Sequence, residues 1–178
     1  MFDPEILLTK GCEALRENLP EDARDLFAQA VAECRWVKDP ALLAKALKAL
    51  GQMERDLHHR GTALDCYREA AGIYRNLEDQ LACADAIRHI AEIFGEQNLP
   101  AEAEACYEEA LEIYRTHPEA APLDQAHAMR GLALLKNSAD AHEEAGLLWQ
   151  GASHLYAAAG EPAKVAECDA HVAFLLGR

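Results

Sequence analysis

Cys66–Arg75 reads CYREAAGIYR, and Cys106–Arg115 reads CYEEALEIYR, the same pattern 40 residues on. Outward from these decamers an alanine–aromatic–alanine series runs through the chain. Its members are Ala23, Phe27, Ala30; Ala63, Tyr67, Ala70; Ala103, Tyr107, Ala110; and Ala145, Trp149, Ala152, stepping by 40, 40 and 42 residues. A fixed period in this range marks stacked repeats. Upstream of each set lies a small residue, Gly11, Gly51, Ala91 or Ala133, with the same steps. The two extra residues therefore fall in the loop THPEAAPLD (116–124). Pairing Gly131 with Ala91 instead would carry His127 and Arg130 into the core.

Every segment reads as helix. Ala, Leu, Glu and Arg dominate, and Val, Ile and Thr are sparse, which suits helix and not strand. In LACADAIRHIAEIF, Ala84, Ile87, Ile90, Ala91 and Phe94 recur at spacings of three and four, one helical face. Pro4, Pro20, Pro40, Pro100, Pro122 and Pro162 stand where helices should begin, in the first turn, where a missing N–H costs nothing. Asp3 and Asp39 precede two of them as N-caps. The pattern predicts helices over 3–18, 20–37, 40–58, 60–76, 79–97, 100–116, 122–137, 139–159 and 162–176. The fold class is all-α, a single array over residues 1–178 with repeats at 3–37, 40–76, 79–116 and 122–159 and a capping helix at 162–176.

One amphipathic helix pair cannot bury its apolar face alone. Stacked pairs share a continuous core, so each unit needs the same residue types at the same places. A small residue in the first helix, then Ala-x3-aromatic-x2-Ala in the second, resembles the tetratricopeptide repeat. Units of about 40 residues resemble the long variant of kinesin light chains and the Leu-Gly-Asn repeat adaptors. The resemblance covers roughly residues 4–157. It implies a right-handed α-solenoid whose first helices line a concave groove, and a non-enzymatic adaptor that binds a peptide or helix there.

Composition narrows the partners. A net charge of −14 disfavours nucleic acid, whose phosphates demand Lys and Arg, and anionic membranes. No apolar run is long enough to span a bilayer, and a cytoplasmic location is expected. Six scattered cysteines without a C-x-x-C pair read as reduced packing residues. No phosphate loop, H-E-x-x-H or G-x-S-x-G occurs, so neither a catalytic site, a metal nor a cofactor is expected.

On the first helices, the residues six and three before the small residue, then one and four after it, share a face. The first unit gives Glu5, Leu8, Cys12 and Leu15, and the second Lys45, Lys48, Gln52 and Arg55. The third gives Asp85, Arg88, Glu92 and Gly95, and the fourth His127, Arg130, Leu134 and Asn137. Lys48, Arg88 and Arg130 form a basic ladder, and the face carries five basic and three acidic residues inside an acidic chain. Such a groove suits an acidic or C-terminal carboxylate segment with an apolar anchor. Charge reversal at Arg88 is expected to spoil binding and spare the fold. Lys48 matches the first lysine of the carboxylate clamp of chaperone-binding tetratricopeptide domains. Gln52, His89, His127 and Gly131 stand where asparagine, asparagine, lysine and arginine are usual there. The rival reading is a self-associating structural subunit, a homodimer through an array end or the convex face.

Overall fold

The computed structural model describes residues 2–177. Residues 1 and 178, which the sequence reading includes in the array, lie outside them. Among the described residues there are nine helices: α1 (Pro4–Arg16), α2 (Pro20–Val37), α3 (Pro40–Asp56), α4 (Arg60–Asn76), α5 (Gln80–Glu96), α6 (Pro100–Thr116), α7 (Pro122–Ser138), α8 (His142–Ala159) and α9 (Pro162–Leu175). All six prolines expected at helix starts are first residues. Asp3 accepts from the Glu5 N–H and Asp39 from the Leu42 N–H, each at 2.9 Å. Asp79 caps α5 in the same way, accepting from the Ala82 N–H at 3.1 Å. The largest departure is the start of α8, at His142 and not 139. Lys136 C=O accepts from the Ala141 N–H there, so residues 139–141 complete the turn out of α7.

The helices form four sequential pairs and a ninth helix. They divide between two compact units, Met1–Ala86 and Ile87–Arg178. In the first, Phe27, Cys34, Leu47, Tyr67 and Tyr74 are buried among the alanines of α2, α3 and α4. In the second, Ala126, Ala133, Ala145, Trp149, Ala152, Tyr156 and Cys168 form a cluster flanked by Leu123, Met129, Leu148, Leu155 and Val165. The repeat phase survives the insertion. Ala44, Ala84 and Ala126 are fully buried, as are Ala46, Ala86 and Ala128, steps of 40 and 42. Ala133 is thus the fourth small residue. Gly131 is buried for a different reason: a Cβ on it would lie 2.3 Å from the Tyr107 ring. His127 and Arg130 are half-buried.

The turns repeat as well. Asn18, His58, Asn98 and Asp140 have left-handed backbone between the two helices of each pair. Lys38, Glu78 and Gly160 do the same between pairs. The exception is the passage from α6 to α7, where the inserted residues fall and His117 leaves α6 in extended backbone.

Candidate functional site

In the first unit, Lys48 on α3 is half-buried and ion-pairs with Asp85. Gln52 accepts from the Tyr67 hydroxyl at 3.2 Å and donates to Asp56 at 2.8 Å. Lys45 is exposed and Arg55 half-buried. The same helix holds a carboxylate that the sequence reading missed. Glu54, 2 % exposed, takes Arg24 Nε at 2.9 Å and His59 Nδ1 at 2.7 Å. Its helical phase puts it toward α2, and no feature of its own helix signals the distant Arg24.

The second unit gathers more of the expected residues. Arg88 on α5 is only 5 % exposed. Its guanidinium donates to Glu92 Oε1 at 2.5 Å and to His89 Nε2 at 2.9 Å. That contact leaves His89 Nδ1 to donate to the other Glu92 oxygen at 3.1 Å. On α7, Arg130 donates through Nε and Nη2 to Glu167 of α9, at 3.0 and 2.7 Å. Lys164, also on α9, donates to His127 Nε2 at 3.2 Å and lies 5.4 Å from the Tyr156 ring centroid. Burial, then the charges of Arg88 and Lys164, drive the His127 imidazole down to about 4, against the pull of Glu92. It is therefore neutral at pH 7. Tyr156 is fully buried, and its hydroxyl has no hydrogen-bond partner. Burial pushes that hydroxyl up to about 12. Leu134 is exposed on α7.

Each cation of the ladder already has a carboxylate, and Arg88 is a buried residue. Charge reversal there would set two carboxylates together in a poorly hydrated place, so it cannot be assumed to spare the fold.

The partners follow a rule that is legible in hindsight. Lys48 pairs with Asp85 and Arg130 with Glu167, both 37 residues on. Asp85 and Glu167 hold the same repeat position, on the first helix of the next pair and on α9 respectively. For Arg88 that position, shifted by the two-residue insertion, is His127. At the middle rung that position holds a neutral imidazole, and Arg88 pairs with Glu92 of its own helix.

The six cysteines are free thiols; Cys34, Cys66, Cys83 and Cys168 are buried, and Cys12 is exposed. Burial pushes the Cys34 and Cys168 thiols up and Cys66 to about 11, Glu54 adding to the last. Among the described residues no His, Cys, Asp or Glu group is placed to hold a metal, and no helix is long and apolar enough to cross a membrane.

The tetratricopeptide repeat family model matches residues 42–116. No curated protein sequence matches the chain. Among solved structures, BtubC (BKLC) from P. vanneervenii superposes with a TM-score of 0.72 at 18% identity, over 97% of this chain and 79% of that one. MamA does so with a TM-score of 0.66 at 19% identity, over 89% and 81%. A signal transduction ATPase with numerous domains from Pyrococcus horikoshii, which has a tetratricopeptide repeat sensor, reaches 0.84 at 13% identity, over 97% of this chain and 26% of its own. At these identities the likeness is one of fold. Tetratricopeptide domains are generally protein-interaction modules and typically non-catalytic, and no catalytic family matches. Residues 42–116 are matched as tetratricopeptide repeats, and the chain as a whole shares the fold of these solved structures.

Proposed function

We propose that this protein is a non-enzymatic adaptor whose second unit takes an acidic peptide segment, with a carboxylate entering beside Arg88, His127, Arg130 and Lys164. One observation carries this reading: the position that supplies an acid to Lys48 and to Arg130 supplies neutral His127 to Arg88. A ligand carboxylate beside Arg88 and His127 would add the negative charge that this repeat position supplies at the other two rungs. Two features support it. Arg88, Arg130 and Lys164 outnumber Glu92 and Glu167, so the cluster is positive within an acidic chain. The buried Tyr156 hydroxyl is a donor without an acceptor, and a carboxylate oxygen would satisfy it. Leu134 offers an apolar contact on the same helix as Arg130. In this reading the protein works in a reducing cytoplasmic compartment, which its four buried thiols suit.

The test uses fluorescence anisotropy with a labelled Glu/Leu hexapeptide ending in a free carboxylate, its C-terminal amide, and a Lys/Leu twin. The acidic peptide should bind best. Arg130→Gln, at a half-exposed pair, should weaken it by more than tenfold, about 1.4 kcal/mol. A Lys/Leu peptide that binds as well, or an affinity that ignores Arg130→Gln, contradicts the proposal.

A further inference from the structure

A second surface emerges from what covers the junctions between successive pairs. At the α2–α3 junction, Arg24 meets Glu54, and His59, which leads into α4, closes over the same carboxylate. At the α6–α7 junction the signs are exchanged. Lys136 meets Glu104 at 2.7 Å, and Glu144 of α8 closes over it at 2.8 Å. In both cases the third group stands at the start of the helix that follows, His59 as the N-cap of α4 and Glu144 in the first turn of α8. At the α8–α9 junction the places of Arg24 and Glu104 fall to Gly146, and those of Glu54 and Lys136 to Leu176. No described helix covers this junction. A groove of about 390 Å³ remains, its walls including Glu143, Gly146, Leu147, Gln150, Val172 and Leu176. Leu147 is 70% exposed and Leu176 60%, whereas the outer face of a repeat array is ordinarily polar.

We propose that this groove docks a basic amphipathic helix of another protein. The helix takes the place that α8 takes over the α6–α7 junction. The lining sets its chemistry. Where the α2–α3 and α6–α7 junctions hold an ion pair, this one holds glycine and leucine, so the facing side chain is apolar. The flanks are acidic: α8 contains no lysine or arginine, and the single lysine of α9, Lys164, is engaged at His127. Glu143 at the rim therefore faces a cation on the incoming helix. A second copy of this chain is disfavoured as occupant, because each copy carries a net charge of −14 and like-charged partners repel.

The probe is a 14-residue helical peptide of Leu and Lys with leucine along one face, beside a twin with Glu for Lys. Gly146→Phe serves as a plug, because a Cβ at Gly146 meets nothing within 4 Å. Its ring would lie in the groove and leave the core alone. The Leu/Lys peptide should bind the wild type and slow hydrogen exchange at 142–150 and 172–177. Gly146→Phe should weaken it at least tenfold with an unchanged helical spectrum. Leu147→Gln, at an exposed position, is the second variant and should weaken it in the same direction. The proposal fails if the peptide does not bind, if both variants bind it like the wild type, or if protection appears elsewhere. Equal binding of the Glu twin also overturns it. So does a wild-type dimer that Gly146→Phe converts to monomer, since the occupant is then a second copy.

Discussion

Gly131 and Gly72 show how one residue type acts in opposite ways. A Cβ on Gly131 would sit 2.3 Å from Tyr107, deep in the second unit, whereas Gly72 has nothing within 4 Å. Gly131→Ala should therefore cost roughly 1–3 kcal/mol by overpacking. Gly72→Ala, in the interior of α4, should gain about 0.5–1 kcal/mol by helix propensity. Thermal melts of the two variants check the pair, and a shift of the same sign in both would refute the assignment. His127 makes a second residue-scale prediction. Its folded pKa, about 4, lies below the ordinary 6.5 of a free imidazole, so the unfolded chain takes up the proton first. The stability from keeping it neutral is full above pH 6.5 and is lost as pH falls toward 4. The groups around it are Arg88, Arg130, Lys164 and Glu92. The loss should amount to roughly 1–3 kcal/mol, reduced by partial hydration. His127→Asn should flatten the pH dependence of urea midpoints over that window, and an unchanged dependence would show that other groups cause it.

At the scale of the element, helix starts were the most legible feature. Proline in the first turn and aspartate before it act within four residues of chain, so a local reading finds them. The alanine and aromatic positions were legible through the period, because each repeat solves the same packing problem. Side-chain partners were less so. Arg24 and Glu54 lie 30 residues apart, and the equivalent places hold Leu64 and Phe94, then Glu104 and Lys136 with signs reversed. Such pairs vary from junction to junction while the backbone does not, so periodicity alone cannot reveal them. The ladder cations were found by the same offset that hid their partners: Asp85 was placed on the groove face without its link to Lys48, and Glu167 was missed on α9. The turns give a direct test. Glu78 holds φ 59 between α4 and α5, a conformation that costs an ordinary residue about 1–2 kcal/mol. Glu78→Gly should stabilise the protein by about 0.5–1 kcal/mol after the greater entropy of unfolded glycine is subtracted. A destabilised variant, read from denaturant midpoints, would mean that the Glu78 side chain contributes more than its backbone costs.

For the whole molecule, the governing contrast is a chain of net charge −14 that keeps a small positive cluster among α5, α7 and α9 of its second unit. Long-range repulsion from the acidic surface slows an acidic ligand's approach, so affinity must come from short, poorly hydrated contacts at Arg88, Arg130 and Lys164. Those contacts exist because the repeat that follows Arg88 presents His127 where others present Asp85 and Glu167. The most direct measurement is the affinity of the carboxylate-ended Glu/Leu hexapeptide for the wild type and for His127→Asp. The fold already accepts an acid at this position in two places, so the variant should melt as a native-like protein. Placing an acid at this position should weaken the peptide by more than tenfold, about 1.4 kcal/mol. A His127→Asp protein that is folded and binds the peptide as tightly as the wild type would contradict the account.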